Sequence, residues 1–147
     1  MTRQRHEFGG CSELHRAAIM RIADARALRA SGRYTGAMYL RGYGLECLLK
    51  ARLMEYHRVR TIAELDDLFS ELRSNPSRSH SLESLFAALN LTERLAASPG
   101  RQALRDFHVC VRWSSNWRYR PDSENAINCD AFLAAADRLQ HYVQHNT

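Results

Sequence analysis

The run Arg112-Trp-Ser-Ser-Asn-Trp-Arg-Tyr-Arg-Pro interleaves three arginines with two tryptophans and a tyrosine. Aromatic faces stack nucleobases and guanidinium groups grip phosphates, so Arg112, Trp113, Arg118, Tyr119 and Arg120 form a candidate nucleic-acid-binding set. A structural reading of the same residues stays open: Trp113 and Tyr119 would close one end of a helical bundle, with Arg118 tied to a carboxylate or to backbone carbonyls. The charge balance agrees with either. The net charge of +5 and the pI near 9.3 come from many arginines and a single lysine, Lys50, without a long basic run. A polyanionic partner is therefore permitted, and so is a solvated basic face.

Three smaller groups also carry chemistry-bearing side chains. Glu46 and Lys50 stand four residues apart in the favourable order on a helix, a pair worth only ~0.3 to 0.5 kcal/mol if exposed. If that face is interior, both need buried partners, for which Arg41 and His80 are in question. His80 either caps the helix that begins at Ser81 or lines a cleft with Glu46, and capping is the expectation taken here. Cys11 and His15 share a helix face, but with no evident third or fourth ligand they make no site, so neither metal nor cofactor is expected. No Cys-x-x-Cys pair occurs among Cys11, Cys47, Cys110 and Cys129, and free thiols, mostly buried, are expected rather than disulfides.

The elements that position these groups read as helices throughout. Residues 1–11 are expected to form a polar, flexible lead and residues 12–147 a single domain, with Ser12 expected to cap a first helix through Leu14, Ile22 and Leu28 that stops at Ser31-Gly32. Tyr34, Ala37, Met38, Leu45, Leu48, Leu49 and Leu53 recur as one face of a second helix from about Arg33 to His57. Two long helices joined by a tight turn make an antiparallel hairpin. Gly36, Gly42 and Gly44 each weaken that helix by roughly 1 kcal/mol relative to alanine, which points to a close approach by another backbone.

Beyond the hairpin, Thr61 with Glu64 reads as a capping box for a short helix through Leu65 and Leu68. A further helix carries Leu82, Leu85, Phe86 and Leu89, and Ser98-Pro99-Gly100 breaks the chain. Leu104, Phe107 and Cys110 mark the next helix; after a loop from Ser114 to Asn125, a last helix runs through Ile127, Phe132, Leu139 and Tyr142. With no persuasive strand, the expected fold is all-α, an up-and-down bundle of four to six helices. A composition of 45% hydrophobic and 25% charged residues suits a soluble globular chain, and no apolar run reaches the ~20 residues of a membrane span. A cytoplasmic location is expected, with no membrane partner.

Three pieces, in order, resemble the HEPN superfamily of small α-helical domains. They are Gly32-Arg33-Tyr34 followed by Tyr39-Leu-Arg-Gly-Tyr-Gly-Leu-Glu-Cys-Leu-Leu-Lys-Ala-Arg-Leu; His80-Ser-Leu with Leu85; and Trp113 with Arg118-Tyr119-Arg120-Pro121 ahead of the final helix. The resemblance implies a bundle of four or five helices, often a homodimer, in toxin–antitoxin, defence or nucleotidyltransferase-linked systems. It also implies that many members are metal-independent ribonucleases using an arginine and a histidine at a cleft. There a histidine moves a proton at the ribose or leaving oxygen while a guanidinium stabilises charge on the phosphate. In this chain Arg101 and His108 have the spacing for such a catalytic pair, and Arg138 and His145 repeat it. The resulting expectation is a homodimeric RNA-associated or partner-binding module. Its alternatives are a metal-independent endoribonuclease and the binding subunit of a nucleotidyltransferase system, with an antitoxin or nucleotidyltransferase as partner.

Overall fold

A computed structural model describes residues 9–73, 75–97 and 101–147. Seven α-helices account for most of them: α1 Cys11–Ala30, α2 Tyr34–Tyr56, α3 Ile62–Leu68, α4 Leu82–Ala88, α5 Leu91–Ala97, α6 Gln102–Cys110 and α7 Ala126–Asn146. A 3-10 turn, Ser115–Tyr119, joins α6 to α7. Among the described residues the one β-type pairing is an isolated bridge between Gly10 and Thr61. The fold is all-α.

The hairpin of α1 and α2 closes at Gly32, whose φ of 74° is the left-handed conformation that glycine adopts without strain. Leu28 meets Gly36 beside this turn, while Cys11 meets Ala51 and Glu55 at the far end, so the two helices are antiparallel over about 30 Å. Ion pairs fix the remaining directions. Arg41 of α2 donates to Asp137 of α7, Arg29 of α1 to Asp130 of α7, and Arg138 of α7 to Asp106 of α6. With α7 starting beside the start of α2 and Trp117 packed on Phe132, α2 and α7 run one way and α1 and α6 the other. This is an up-and-down core of four helices, to which α3, α4 and α5 add short walls.

The count exceeds the expected four to six because the segment after Ser81 forms two helices. Asn90 takes φ 58° and ends α4 one residue past its C-cap Leu89, and Leu91 starts α5 in a new direction. Asparagine adopts this conformation more readily than most residues, so the break is cheap. Two further local expectations change. Ser12 lies inside α1, whose N-cap is Gly10 with no side-chain cap. Thr61 does accept from the Glu64 amide at 3.1 Å, but Glu64 reaches back to the amide of Arg60, not of Thr61. The Ser98-Pro99-Gly100 break, Ser74 and the lead up to residue 8 lie outside the described residues.

The largest correction concerns α2. Every residue from Gly44 to Ala51 is buried, so this helix is not amphipathic at its centre but enclosed on all sides. Its glycines meet neighbours in the same chain. A Cβ on Gly44 would lie 3.2 Å from the Ala18 carbonyl of α1, and one on Gly42 would overlap Trp113. The close backbone approach inferred from the small residues is therefore the α1–α2 contact. It supplies no argument for a second copy.

Candidate nucleic-acid interface

The two tryptophans of the Arg112–Pro121 run separate. Trp113 follows the end of α6, where its amide donates to the Cys110 carbonyl, and turns inward until 3% of it is exposed. Its Nε1 donates to the Tyr39 carbonyl at 3.0 Å and its ring stacks on Tyr39, with centroids 6.1 Å apart. Trp113 is thus a core residue that closes the bundle end and cannot stack a base, as the structural reading of the sequence allowed.

Trp117 is the indole that stays at the surface of the run. Ser114 caps the 3-10 turn by accepting from the Asn116 amide, which lifts Trp117 onto Phe132 at 5.6 Å between centroids and leaves it half-buried. The Arg120 guanidinium lies 5.3 Å from its ring centre. Next to it Tyr119 is 74% exposed, with Arg118 4.8 Å over its ring. The run alone does not set Trp117 apart as a binding residue; the signal that separates the two indoles is Gly42, whose missing side chain makes room for Trp113.

Two clefts open on either side of Trp117 and Arg120. One, of about 410 Å³, is bounded by Met38, Val109, Arg112, Asn128 and Phe132; the other, of about 400 Å³, by Leu28, Arg33, Gly36, Tyr39 and Arg118. Arg33, which opens the second helix, joins the basic set here. Two carboxylates face these arginines. Glu124 accepts from Arg120 Nη2 at 3.1 Å, whereas Asp122 Oδ1 accepts from the Thr35 amide at 3.3 Å. The Thr35 hydroxyl in turn accepts from the amides of Ser123 and Glu124, both at 3.2 Å, so the loop wall is pinned to the start of α2. Among the described residues no carboxylate pairs with Arg33, Arg112 or Arg118. The excess positive charge therefore faces solvent around an aromatic ridge.

Arg101 and His108 are both exposed on α6, Arg101 at its N-cap with φ 53° and His108 in its last turn. Seven positions along a helix put them on nearly the same side but about 10 Å apart along the axis. No hydrogen bond joins them among the described residues. The other pair of matching spacing is dismantled, because Arg138 donates from Nε and Nη2 to the buried Asp106, which Gln102 also contacts at 3.0 Å. Asp106 raises the pKa of Arg138 further, and that guanidinium is a structural cation.

Glu46, Lys50 and His80 do converge. Glu46 is 3% exposed; its Oε2 accepts from Lys50 Nζ at 3.4 Å and its Oε1 pairs with His80 Nδ1 at 2.9 Å. The expected cap role of His80 is overturned: Ser81 caps α4 by accepting from the Ser84 amide at 3.2 Å, leaving His80 for Glu46. Arg41, the other partner considered, goes to Asp137 and Gln140 instead, at 3.0 and 2.7 Å. Burial lowers the pKa of Arg41, and the Asp137 carboxylate partly offsets this. All four cysteines are free. Burial pushes the thiols of Cys47 and Cys110 up to about 11 and about 12, so they stay protonated at neutral pH. Cys11 and His15 acquire a third neighbour, Glu55, that local spacing could not supply.

Comparison with protein-family models, curated proteins and solved structures returns no match.

Proposed function

We propose that this chain is a HEPN-like helical module that binds single-stranded RNA in the paired clefts around Trp117. One observation carries the reading: Arg33, Arg112, Arg118 and Arg120 surround a half-buried indole and an exposed tyrosine, with two clefts between them. Each cleft, at about 400 Å³, lies in the range of small-ligand pockets and has room for a single base or nucleotide. Flat aromatic surface suits unstacked bases, and arginine forks suit the phosphates that run between them.

The resemblance to the HEPN superfamily supports the RNA class and carries the toxin–antitoxin or defence setting. A homodimer rests on that resemblance alone, since the glycines that suggested it are occupied within the chain. Metal-independent cleavage by Arg101 and His108 is the alternative activity, and the same samples decide it.

A fluorescent single-stranded RNA oligonucleotide titrated with the full chain gives the test. Saturable anisotropy is expected, weakening steeply with salt, together with quenching of the Trp117 emission. Trp117→Ala is expected to weaken binding ~5- to 150-fold, the range that ~1 to 3 kcal/mol of base stacking corresponds to. Arg118→Ala with Arg120→Ala should flatten the salt dependence. Absence of saturable binding, or binding unchanged in Trp117→Ala, overturns the reading. RNA cleavage in EDTA that disappears in His108→Ala would establish the alternative.

A further inference from the structure

At the opposite end of the α1–α2 hairpin, away from the clefts, three different metal-ligating side chains meet. Cys11 and His15 lie one turn apart near the start of α1, and Glu55 is in the last turn of α2. One ligand atom from each, a sulfur, an imidazole nitrogen and a carboxylate oxygen, lies within 4.8 Å of the other two. The Cys11 Sγ is 3.8 Å from Glu55 Oε1, and His15 Nε2 contacts the same oxygen.

We propose that Cys11, His15 and Glu55 bind one zinc ion, with the fourth position open to water. Zinc takes thiolate, imidazole and carboxylate ligands at about 2.0 to 2.3 Å in a tetrahedron, which sets neighbouring ligand atoms about 3.3 to 3.8 Å apart. The Cys11 to Glu55 separation already has that length, and the His15 to Glu55 contact has only to open to admit the ion. A soft thiolate beside an imidazole selects zinc over magnesium or calcium, which prefer all-oxygen sites. Binding removes the Cys11 proton to solvent and leaves His15 neutral.

Two features outside the ligand set support a built site. Arg52 Nη1 donates to Glu55 Oε2 at 3.1 Å, which engages the far oxygen and turns Oε1 toward Cys11 and His15. The backbone around Cys11 is held as well: its amide donates to the Arg60 carbonyl at 3.1 Å, and the Ile62 amide to the Gly9 carbonyl at 2.7 Å. The ligands thus sit on two long helices whose ends are already fastened. His15 and Glu55 remain partly exposed, which gives the ion a path in and water a place on it.

Cobalt(II), which substitutes for zinc and is coloured, tests this on the full chain. A thiolate-to-cobalt charge-transfer band saturating at one ion per chain, displaced by zinc, is the expected result. Because Cys47, Cys110 and Cys129 are buried elsewhere in the core, the band is expected to vanish in Cys11→Ser and to weaken at least tenfold in apparent affinity in Glu55→Gln. Zinc is expected to raise the melting temperature of the wild-type chain and not of Cys11→Ser. No band, a band that survives in Cys11→Ser, or an equal melting shift in both proteins overturns the proposal. Circular dichroism of each variant without metal separates loss of the site from loss of the fold.

Discussion

The indole of Trp113 fills the space above the Gly42 backbone, its Cδ1 lying 2.1 Å from where a Cβ at that position would sit. The residue that makes α2 locally poor as a helix is the one that lets α6 hand its following loop into the core. Gly42→Ala is therefore expected to destabilise the protein by ~2 kcal/mol or more, even though alanine favours the helix by about 1 kcal/mol. Urea denaturation checks the sign, and a stabilised variant would refute the packing argument.

Gly36 gives the opposite expectation. A Cβ there meets only Leu28 Cδ1, at 3.4 Å, an ordinary contact. Gly36→Ala should stabilise the chain by ~0.5 to 1 kcal/mol in the same denaturation experiment.

Arg138 and Asp106 form an asymmetric pair. The arginine side chain is 53% exposed and the aspartate 3%. Arg138→Met leaves a buried carboxylate with Gln102 as its remaining side-chain donor and is expected to cost ~2 to 4 kcal/mol; Asp106→Asn leaves an arginine that water can solvate and should cost about half as much. Equal losses in thermal or chemical unfolding would show that the carboxylate is not the costly partner.

The buried Glu46–Lys50 pair is expected to be coupled. Glu46→Gln alone leaves the Lys50 ammonium uncompensated in the core, whereas Glu46→Gln with Lys50→Met removes both charges. A double-mutant cycle should return an interaction of ~1 to 3 kcal/mol, with the double variant more stable than the sum of the singles. Additive losses would show that the two charges act independently.

Asp66 supplies a pH dependence. Hydrogen bonds from Arg78 and then Ser77 hold its carboxyl below its usual value of 3.8. A carboxyl with a lowered folded-state pKa contributes stability that is present above the unfolded value and lost as pH falls through the folded one. The acid limb of the stability curve below pH 3.8 is thus expected to flatten in Asp66→Asn, as followed by melting temperature against pH. An unchanged limb would assign it to other carboxylates.

Much of this architecture was legible in the chain. The bounds of α2 follow from its apolar spacing, and the hairpin turn from Ser31-Gly32, because both depend on neighbours within a few residues. What escaped depends on partners distant in sequence. Nothing local distinguishes Trp113 from Trp117, and the choice between them is made by Gly42, some seventy positions earlier. His80 looks like a cap until α2 brings Glu46 to it, 34 residues away, and Cys11 with His15 looks incomplete until the hairpin returns Glu55. The enclosure of α2 was hidden for a related reason: its charged residues imitate a solvent face while being paired inside.

That enclosure governs how the molecule comes apart. α1, α4 and α7 all pack on α2, so none of them can peel away without exposing to water part of a helix whose centre, Gly44 to Ala51, carries both apolar surface and an internal ion pair. Loosening of one wall is felt by the others through a shared central rod, so unfolding is expected to be a single cooperative event and not helix by helix.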